Sequence, residues 1–357
     1  MTLILSNEDV NEVLTMKECI DALEDAYLEL AHGRGVNRRR SDTLVPSNQA
    51  EVLYSLKTMD GIVPKYGVGA VRINSDLVSW PTRSGTMRRE KIPAAPGGRW
   101  VGLVLLFSTE TGEPLAIFPD GYLQRLRVGA TNGLGAKYLA RSDASEVALI
   151  GSGWQASGQA MAITSVCKVK RIRCYSPNAD HCATFASNMS STLGVEVIAV
   201  ESPEKAIKGA DVVLCATNTV DNIVLARWLE PGMFISSIKR PEIETAAILR
   251  SERVVIHTRD EAPIHTTSPG LVLPDNMEGK GWRAIAEIDF ESLPTLPEVI
   301  AGMSPGRDTP EQITCFLNNL GMGYQFAAAG AAVYRKARAL GRGHELPTEW
   351  FTQDVHP

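Results

Sequence analysis

The stretch VALIGSGWQASGQAMAI, which runs from Val147 to Ile163, constrains the fold more than any other part of the chain. Four apolar residues precede Gly151-x-Gly153-x-x-Ala156, and a run compatible with a helix follows. The first glycine permits a tight turn, and the second lets the backbone approach a pyrophosphate at the helix N-terminus. This strand–turn–helix context predicts a dinucleotide site. The alternative is a glycine-rich turn in an α/β domain that binds nothing.

The pattern after residue 146 predicts a Rossmann doubly wound parallel sheet. Continuous apolar runs alternate with helical patterns, which is typical of a parallel sheet covered on both faces. A long helix is predicted over 311–340. We predict strands at 147–151, 171–176, 195–200, 211–217, 233–238 and 253–258, and helices at 155–166, 178–193, 203–208 and 242–250.

The first part of the chain predicts a β-rich α+β architecture. Residues 6–33 predict two short helices, each begun by a capping box, Ser6 with Asp9 and Thr15 with Glu18. Residues 36–120 contain short β-rich runs separated by turns, and STETGEPLAIF predicts a hairpin. The segment 81–99, rich in Pro, Gly and Arg, predicts a long loop. Residues 123–141 predict a helix rich in small residues.

Composition excludes several classes of protein. The chain has 357 residues, enough for two domains, and a net charge of −5, which leaves no excess of Lys and Arg to neutralise nucleic-acid phosphates. The six cysteines form no CxxC pair and predict free, buried thiols in a reducing cytoplasm. No run approaches the roughly 20 apolar residues of a membrane span, and the N-terminus does not resemble a signal peptide. The histidines have no metal-ligand spacing.

The end of the second Rossmann strand bears on the choice of cofactor. NAD-binding proteins place an Asp or Glu there, about 20 residues after the turn, to hold the ribose 2′-hydroxyl. Here the strand ends Tyr175-Ser176-Pro177-Asn178, without an acid. Ser176 and Asn178 can donate hydrogen bonds to a 2′-phosphate, which a carboxylate would repel. NADP is therefore the predicted cofactor, and NAD is the alternative because no Arg stands at the tip either.

Four motifs follow one another at a familiar spacing: GEPLAIFPDGYLQRLRVGATNGLGAKYLAR, VALIGSGWQA, ADVVLCATNT and PEVIAG. Together they resemble the ornithine cyclodeaminase/μ-crystallin family, most specifically from about residue 100 to 235. The resemblance implies a homodimer. It also implies a Rossmann NAD(P)-binding domain, residues 123–314, inserted into a discontinuous dimerisation and substrate-binding domain, residues 1–122 and 315–357.

The resemblance also implies roles for individual residues. Arg127 matches an arginine that helps to bind the substrate carboxylate, which a guanidinium can grip with two hydrogen bonds. Thr217 and Asn218 match a polar pair near the nicotinamide ribose. The residues predicted to bind the cofactor are Gly151, Gly153, Trp154, Gln155, Ala156, Ser176, Asn178, Thr217, Asn218 and Ile238.

The chain departs from the family where the substrate is expected. A Lys in a GVK strand is replaced by Gly69, and Arg72 lies three residues on, towards the opposite face of an ideal strand. Arg72, Arg40 and Lys57 are the candidate substitutes for that cation. Asp76 is a candidate catalytic carboxylate, and an Asx-turn is the alternative for it.

A second departure concerns the loop after the fifth Rossmann strand. The family's GADxPGKxE is replaced by SSIKRPEIE, in which Pro241 and Glu244 remain recognisable but Ile238-Lys239-Arg240 stands in place of an Asp. Lys239 is a candidate proton donor, and an exposed loop lysine is the alternative. His265 is either an acid/base or an ordinary loop residue, and His257 is expected in the core.

The resemblance implies an NAD(P)H-dependent oxidoreductase that acts on a C–N bond of a small amino acid or of an imino or 2-oxo acid, whereas the glycine turn by itself predicts only the bound dinucleotide. The substrate is expected to be a small carboxylate. One alternative is a cyclodeaminase-like ammonia lyase that uses bound NAD(P) catalytically. Another is a non-enzymatic small-ligand binding protein of the crystallin type. We expect neither a nucleic-acid partner nor a membrane partner.

Overall fold

The computed structural model describes residues 1–83, 86–87, 90–219, 221–260, 263–273 and 282–355. The chain divides into two compact units. The mixed-sheet unit comprises Met1–Arg127, Glu261–Gly279 and Met322–Pro357, and the parallel-sheet unit comprises Val128–Asp260 and Lys280–Gly321.

The secondary structure elements are numbered in chain order. The strands are β1 (Thr2–Ile4), β2 (Val36–Asn37), β3 (Ser41–Pro46), β4 (Val52–Val63), β5 (Val68–Ser79), β6 (Thr82–Arg83), β7 (Thr86–Met87), β8 (Glu90–Ile92), β9 (Val101–Ser108), β10 (Pro114–Pro119), β11 (Glu146–Ile150), β12 (Arg171–Tyr175), β13 (Glu196–Ala199), β14 (Val212–Cys215), β15 (Phe234–Ser237), β16 (Arg253–Ile256), β17 (Ile264–Thr267), β18 (Thr314–Leu317) and β19 (His344–Leu346). The helices are α1 (Asn7–Val13), α2 (Met16–Ala31), α3 (Gly121–Leu139), α4 (Trp154–Val166), α5 (Ala179–Leu193), α6 (Pro203–Ile207), α7 (Thr245–Leu249), α8 (Leu296–Ile300) and α9 (Gly323–Leu340).

The mixed sheet is ordered β17-β3-β4-β5-β9-β10-β1-β19, with β2 paired to β4 and β8 paired to β5. Its two longest strands, β4 and β5, have 12 residues each and pair antiparallel along their whole length. In β5 buried and half-buried positions alternate strictly, because successive side chains point to opposite faces. Helices α2 and α9 pack within the same unit, and α9 packs on β4 and β5.

The parallel sheet is ordered β13-β12-β11-β14-β15-β18-β16, and every pair in it is parallel. This confirms the predicted Rossmann doubly wound sheet joined to a β-rich α+β domain. All six predicted Rossmann strands are present. The two predicted capping boxes and the hairpin between β9 and β10 are present as well.

The long helix predicted over 311–340 is wrong in its first part. Thr314–Leu317 forms β18, which lies between β15 and β16, and the helix begins only at Gly323. All four residues of β18 are buried, and so short an apolar run does not reveal its period. The predicted domain boundaries at 122/123 and 314/315 fall inside α3 and β18, and the compact units divide at Arg127/Val128 and Gly321/Met322.

The segment 81–99 is not wholly a loop. β8 pairs with β5, and β6 pairs with β7, although residues 84, 85, 88 and 89 lie outside the described part of the chain. All six cysteines are free, and all except Cys167 are buried, as predicted. Within the described ranges, no helix has both the length and the apolar composition needed to cross a bilayer. The same residues contain no group of three His, Cys, Asp or Glu side chains placed to hold a metal ion.

Candidate functional site

Polar side chains form a row across the buried face of the mixed sheet. Strands β17, β3, β4 and β5 contribute polar side chains and β9 contributes Gly102, because residues paired directly across neighbouring strands point to the same face. The alternation in β5 places Arg72, Asn74 and Asp76 on this face, where apolar side chains would be expected. From strand to strand, the polar row reads His265, Asp42, Lys57, Asn74 and Gly102, with Asp120 directly after β10.

Lys57 and Asp76 form a buried ion pair in this unit. Lys57 Nζ donates to Asp76 Oδ2 at 2.8 Å, and the two side chains are 5% and 0% exposed. Lys91 Nζ lies 2.9 Å from the other carboxylate oxygen. Burial acts to raise the pKa of Asp76, but Lys57 and then Lys91 outweigh it and hold the pKa below its usual value. Asp76 is therefore an ionised mid-strand carboxylate, and the Asx-turn alternative is wrong.

Arg72 is held by Asp120 at the other end of the polar row. Arg72 Nε donates to Asp120 Oδ2 at 2.6 Å, and Asn74 Nδ2 donates to the same oxygen at 3.3 Å. A Cβ atom on Gly102 would lie 2.1 Å from Asp120 Oδ1, so only glycine leaves room for this carboxylate. Arg72 faces the buried side of β5, opposite to the side of Gly69, as strand alternation predicts.

Arg127 lies near the middle of α3 and is buried. Its Nη1 donates to Gln325 Oε1 at 3.0 Å, and its guanidinium lies 5.0 Å from the centre of the Phe326 ring. Arg72 lies 5.4 Å from the same ring centre, so both cations interact with one aromatic side chain. Burial, followed by the charge of Arg72, lowers the pKa of Arg127 to about 10, which leaves it protonated at neutral pH.

Arg40 and His265 both approach Asp42 at the β17 edge of the sheet. Arg40 Nε donates to Asp42 Oδ1 at 2.7 Å, and Arg40 Nη2 binds the other oxygen. His265 Nε2 lies 3.8 Å from Asp42 Oδ2. Burial lowers the pKa of His265, with Asp42 opposing and nearby cations assisting this shift. His265 belongs to a strand rather than to an ordinary loop, which the sequence did not indicate.

The two glycines of the phosphate turn differ in what constrains them. Gly151 has φ +118°, and a Cβ atom there would lie 2.3 Å from the carbonyl oxygen of Ala216. Gly153 is the N-cap of α4, and a Cβ atom there would meet nothing within 4 Å. Steric contact within the chain therefore explains why residue 151 is glycine, but it gives no such reason for residue 153. Open space at a helix N-terminus fits a phosphate that approaches the backbone.

The other predicted cofactor residues surround this turn and the next strand ends. Trp154 is exposed in the first turn of α4, Gln155 is half-buried, and Ala156 is buried. Ser176 is half-buried, and Asn178 caps α5 by accepting a hydrogen bond from His181 N at 2.9 Å. His181 Nδ1 lies 2.8 Å from Ser152 Oγ, so this helix residue contacts the glycine turn.

Glu242 is the residue that the sequence analysis missed. It is fully buried, and its Oε1 accepts hydrogen bonds from Thr217 N at 2.5 Å and from Thr217 Oγ1 at 2.7 Å. Its Oε2 lies 2.5 Å from Ser237 Oγ. The family pattern directed attention to Glu244, which accepts a hydrogen bond from Ala226 N at 2.7 Å. The sequence signal that could have identified Glu242 is an acidic residue in a loop directly after a buried strand.

Lys239 lies in the loop after β15, and its side chain reaches the turn after β14. Its Nζ donates to the carbonyl oxygen of Thr219 at 2.8 Å, and its backbone N donates to Ser237 Oγ at 3.1 Å. The side chain is half-buried, as is Ile238, while Asn218 is exposed. The alternative of an exposed loop lysine is therefore wrong, and Lys239 remains a candidate proton donor.

The chain is similar to proteins of known kind along nearly its whole length. The family model of the ornithine cyclodeaminase/mu-crystallin family matches residues 1–341. The Δ1-pyrroline-2-carboxylate reductase of Bacillus cereus is 25% identical over 349 residues, which are 96% of this chain and 99% of that protein.

Two solved structures are similar as well. One is the Δ1-pyrroline-2-carboxylate reductase of Thermococcus litoralis in complex with NADH and L-proline. It has a TM-score of 0.78 and 26% identity, over 97% of this chain and 100% of that one. The other is an archaeal alanine dehydrogenase dimer with bound NAD. It has a TM-score of 0.76 and 25% identity, over 97% of this chain and 99% of that one.

The contrast between the two glycines gives a test of the phosphate turn. Gly153→Ala should retain the wild-type unfolding temperature but lose about tenfold or more in dinucleotide affinity, because the new methyl group occupies open space that a phosphate needs. Gly151→Ala should instead lower the unfolding temperature, since its methyl group meets the Ala216 carbonyl. Thermal unfolding and titration by nicotinamide fluorescence separate the two effects. Equal dinucleotide affinity in Gly153→Ala and wild type would contradict the assignment.

Proposed function

The chain belongs to the ornithine cyclodeaminase/mu-crystallin family, and we propose that it is an NAD(P)H-dependent oxidoreductase acting on a C–N bond of a small amino acid or of an imino or 2-oxo acid. The observation that carries this proposal is the turn at Gly151 and Gly153, where the second glycine faces open space. Similarity to a reductase with bound NADH and L-proline, and to an alanine dehydrogenase with bound NAD, supports it.

The buried cations of the mixed-sheet unit are the proposed substrate-binding residues. Arg127 and Arg72 bind the substrate carboxylate, because both are buried guanidinium groups beside the Phe326 ring. Lys57 and Arg40 hold Asp76 and Asp42 ionised and are the further cations proposed to contact the substrate.

Asp76 and Lys239 are the proposed proton-transfer residues. Asp76 is held ionised and accepts a proton in the direction of amine oxidation. Lys239 is the proposed donor for imine reduction, since an ammonium group can protonate a developing amine. When bound, the nicotinamide supplies or accepts the hydride.

Replacement of Arg127 tests the substrate assignment. Arg127→Lys should lower kcat/KM about 10- to 100-fold, mainly through KM, because lysine keeps the charge but loses the paired hydrogen bonds to a carboxylate. The assay follows nicotinamide oxidation with cyclic imino acids, and with 2-oxo acids plus ammonia. Arg125→Lys, two residues away on the same helix, is the matched control and should retain wild-type kinetics.

The same assay separates the proposal from its alternatives. An ammonia lyase that recycles its cofactor would release ammonia while the nicotinamide absorbance stays constant. A binding protein would take up ligand without turnover of any substrate. Either result would replace the oxidoreductase proposal.

We also propose a preference for NADPH over NADH. The segment Tyr175 to Asn178 carries no carboxylate that would repel a 2′-phosphate, and Ser176 and Asn178 supply polar side chains there. Wild-type protein should bind NADPH at least about tenfold more tightly than NADH, which corresponds to one added charge-assisted hydrogen bond. Titration of both cofactors by fluorescence measures this ratio. Tighter binding of NADH would refute the preference and leave the oxidoreductase proposal intact.

A homodimer is the proposed assembly. The outer face of the mixed sheet carries apolar side chains such as Leu56, Ile62 and Leu103, which are 36%, 42% and 38% exposed. Half-buried Val71 and Ile73 lie on the same face. An apolar sheet face of this kind is typical of a protein interface. The similar archaeal alanine dehydrogenase is a dimer, which supports this proposal.

A charge on the outer sheet face tests the dimer. Leu103→Glu should shift the protein from dimer to monomer in size-exclusion chromatography with light scattering, because it buries an unpaired carboxylate in the interface. Leu249→Glu, an exposed leucine of the parallel-sheet unit, is the control and should leave the mass unchanged. A wild-type monomer, or an unaltered dimer in Leu103→Glu, would refute the proposed interface.

A further inference from the structure

Glu242 is a buried carboxyl group with no role in the function proposed above. It lies in the loop after β15, and its hydrogen bonds reach the turn that follows β14. Burial of an ionised carboxylate is costly unless cations and hydrogen bonds compensate for it. The protonation state of Glu242 therefore decides whether this part of the fold is stable.

The hydrogen bonds around Ser237 fix the number of protons in this cluster. Ser237 Oγ has one hydrogen, yet it lies 2.7 Å from the carbonyl oxygen of Lys239 and 2.5 Å from Glu242 Oε2. It also accepts a hydrogen bond from Lys239 N at 3.1 Å. If Glu242 were ionised, two acceptors would compete for one hydrogen. If Glu242 is protonated, its Oε2 hydroxyl donates to Ser237 Oγ, and Ser237 Oγ donates to the carbonyl oxygen of Lys239. Each of the two short oxygen–oxygen contacts then contains one hydrogen atom.

The second carboxyl oxygen of Glu242, Oε1, holds the turn that contains Thr217 in place. Both donors of Thr217 point to Glu242 Oε1, and Thr217 Oγ1 in turn accepts a hydrogen bond from Thr219 N at 3.2 Å. The same turn touches the glycine turn. A Cβ atom on Gly151 would lie 2.3 Å from Ala216 O and 3.5 Å from Thr217 Cγ2. Displacement of Thr217 would therefore disturb the backbone at Gly151.

We propose that Glu242 is a neutral carboxylic acid at neutral pH and that, in this form, it is the positioning residue that holds the Thr217 turn against Gly151 for dinucleotide binding. The second half of this inference rests on the proposed cofactor function. The first half rests only on the hydrogen-bond geometry.

The charged and titratable surroundings agree with this assignment. Burial raises the pKa of Glu242 above its usual value, although its hydrogen bonds and the cation of Lys239 oppose the shift. Among the described residues, Glu242 also acts on the buried thiol of Cys215, whose pKa is raised first by its own burial and then by Glu242. Lys239 directs its Nζ to a backbone carbonyl rather than to the carboxyl group.

Two variants of Glu242 test its role in cofactor binding. Glu242→Gln should bind NADH and NADPH within about twofold of wild type at neutral pH, because its amide donates to Ser237 and its carbonyl accepts from Thr217. Glu242→Ala should lose about tenfold or more, since it leaves buried donors without an acceptor. Glu244→Gln, a neighbouring carboxyl with a single backbone contact, is the matched control and should equal wild type.

The pH dependence of affinity distinguishes an acid from a carboxylate. Wild-type affinity should fall as the pH rises through the raised pKa of Glu242, whereas the affinity of Glu242→Gln should lack this component. Equal losses in Glu242→Gln and Glu242→Ala at neutral pH would overturn the inference, because they would mean that the negative charge is needed. Identical pH profiles for wild type and Glu242→Gln would overturn it as well.

Thermal unfolding gives a readout that does not depend on the cofactor. A carboxyl group whose pKa is higher in the folded than in the unfolded state destabilises the fold progressively as the pH rises above the unfolded value. Glu242→Gln avoids this effect, so its unfolding temperature should exceed that of wild type increasingly from acidic to neutral pH. A constant difference would refute the neutral acid. If wild type binds neither cofactor, the proposed function and the positioning role fail together, and the unfolding data still decide the protonation state.

Discussion

The Lys57–Asp76 ion pair allows the mixed sheet to carry charge on a face that it buries. An isolated charge at such a depth would cost several kcal/mol, and the group would instead change its protonation state. Each of the three buried carboxylates on this face, Asp42, Asp76 and Asp120, has a cation within ion-pair distance. The result is a polar surface whose side chains hold one another in place, which suits the substrate-binding role proposed for it.

The sequence predicted the structure correctly wherever a pattern of neighbouring residues determines it. The glycine turn, the six apolar strands and the capping boxes each depend on a few neighbouring residues, and each is present. The cations at Arg72 and Lys57 were also identified as candidates. Their pairing was not, because the carboxylates that hold them lie on other strands, and strand register cannot be read from a single strand.

The features that were missed all depend on contacts between distant parts of the chain. β18 is too short to reveal its period, and it pairs with strands formed by residues 234–237 and 253–256. His265 looked like a loop residue because its partner strand, β3, lies more than 200 residues earlier. Glu242 was passed over because the family pattern singles out a different acid, and only the fold brings it to Thr217.

The order of the strands in the mixed sheet has a consequence for how the protein is made. Its two edges are β17 and β19, of four and three residues, and both come late in the chain. The strands between them are synthesised before β17, α9 and β19, so the backbone groups on the outer sides of β3 and β1 stay unpaired until then. Exposed strand edges are templates for pairing with other chains. The nascent chain therefore exposes two strand edges to aggregation until β17 and β19 have formed, and chaperones that bind extended apolar segments would act within that period.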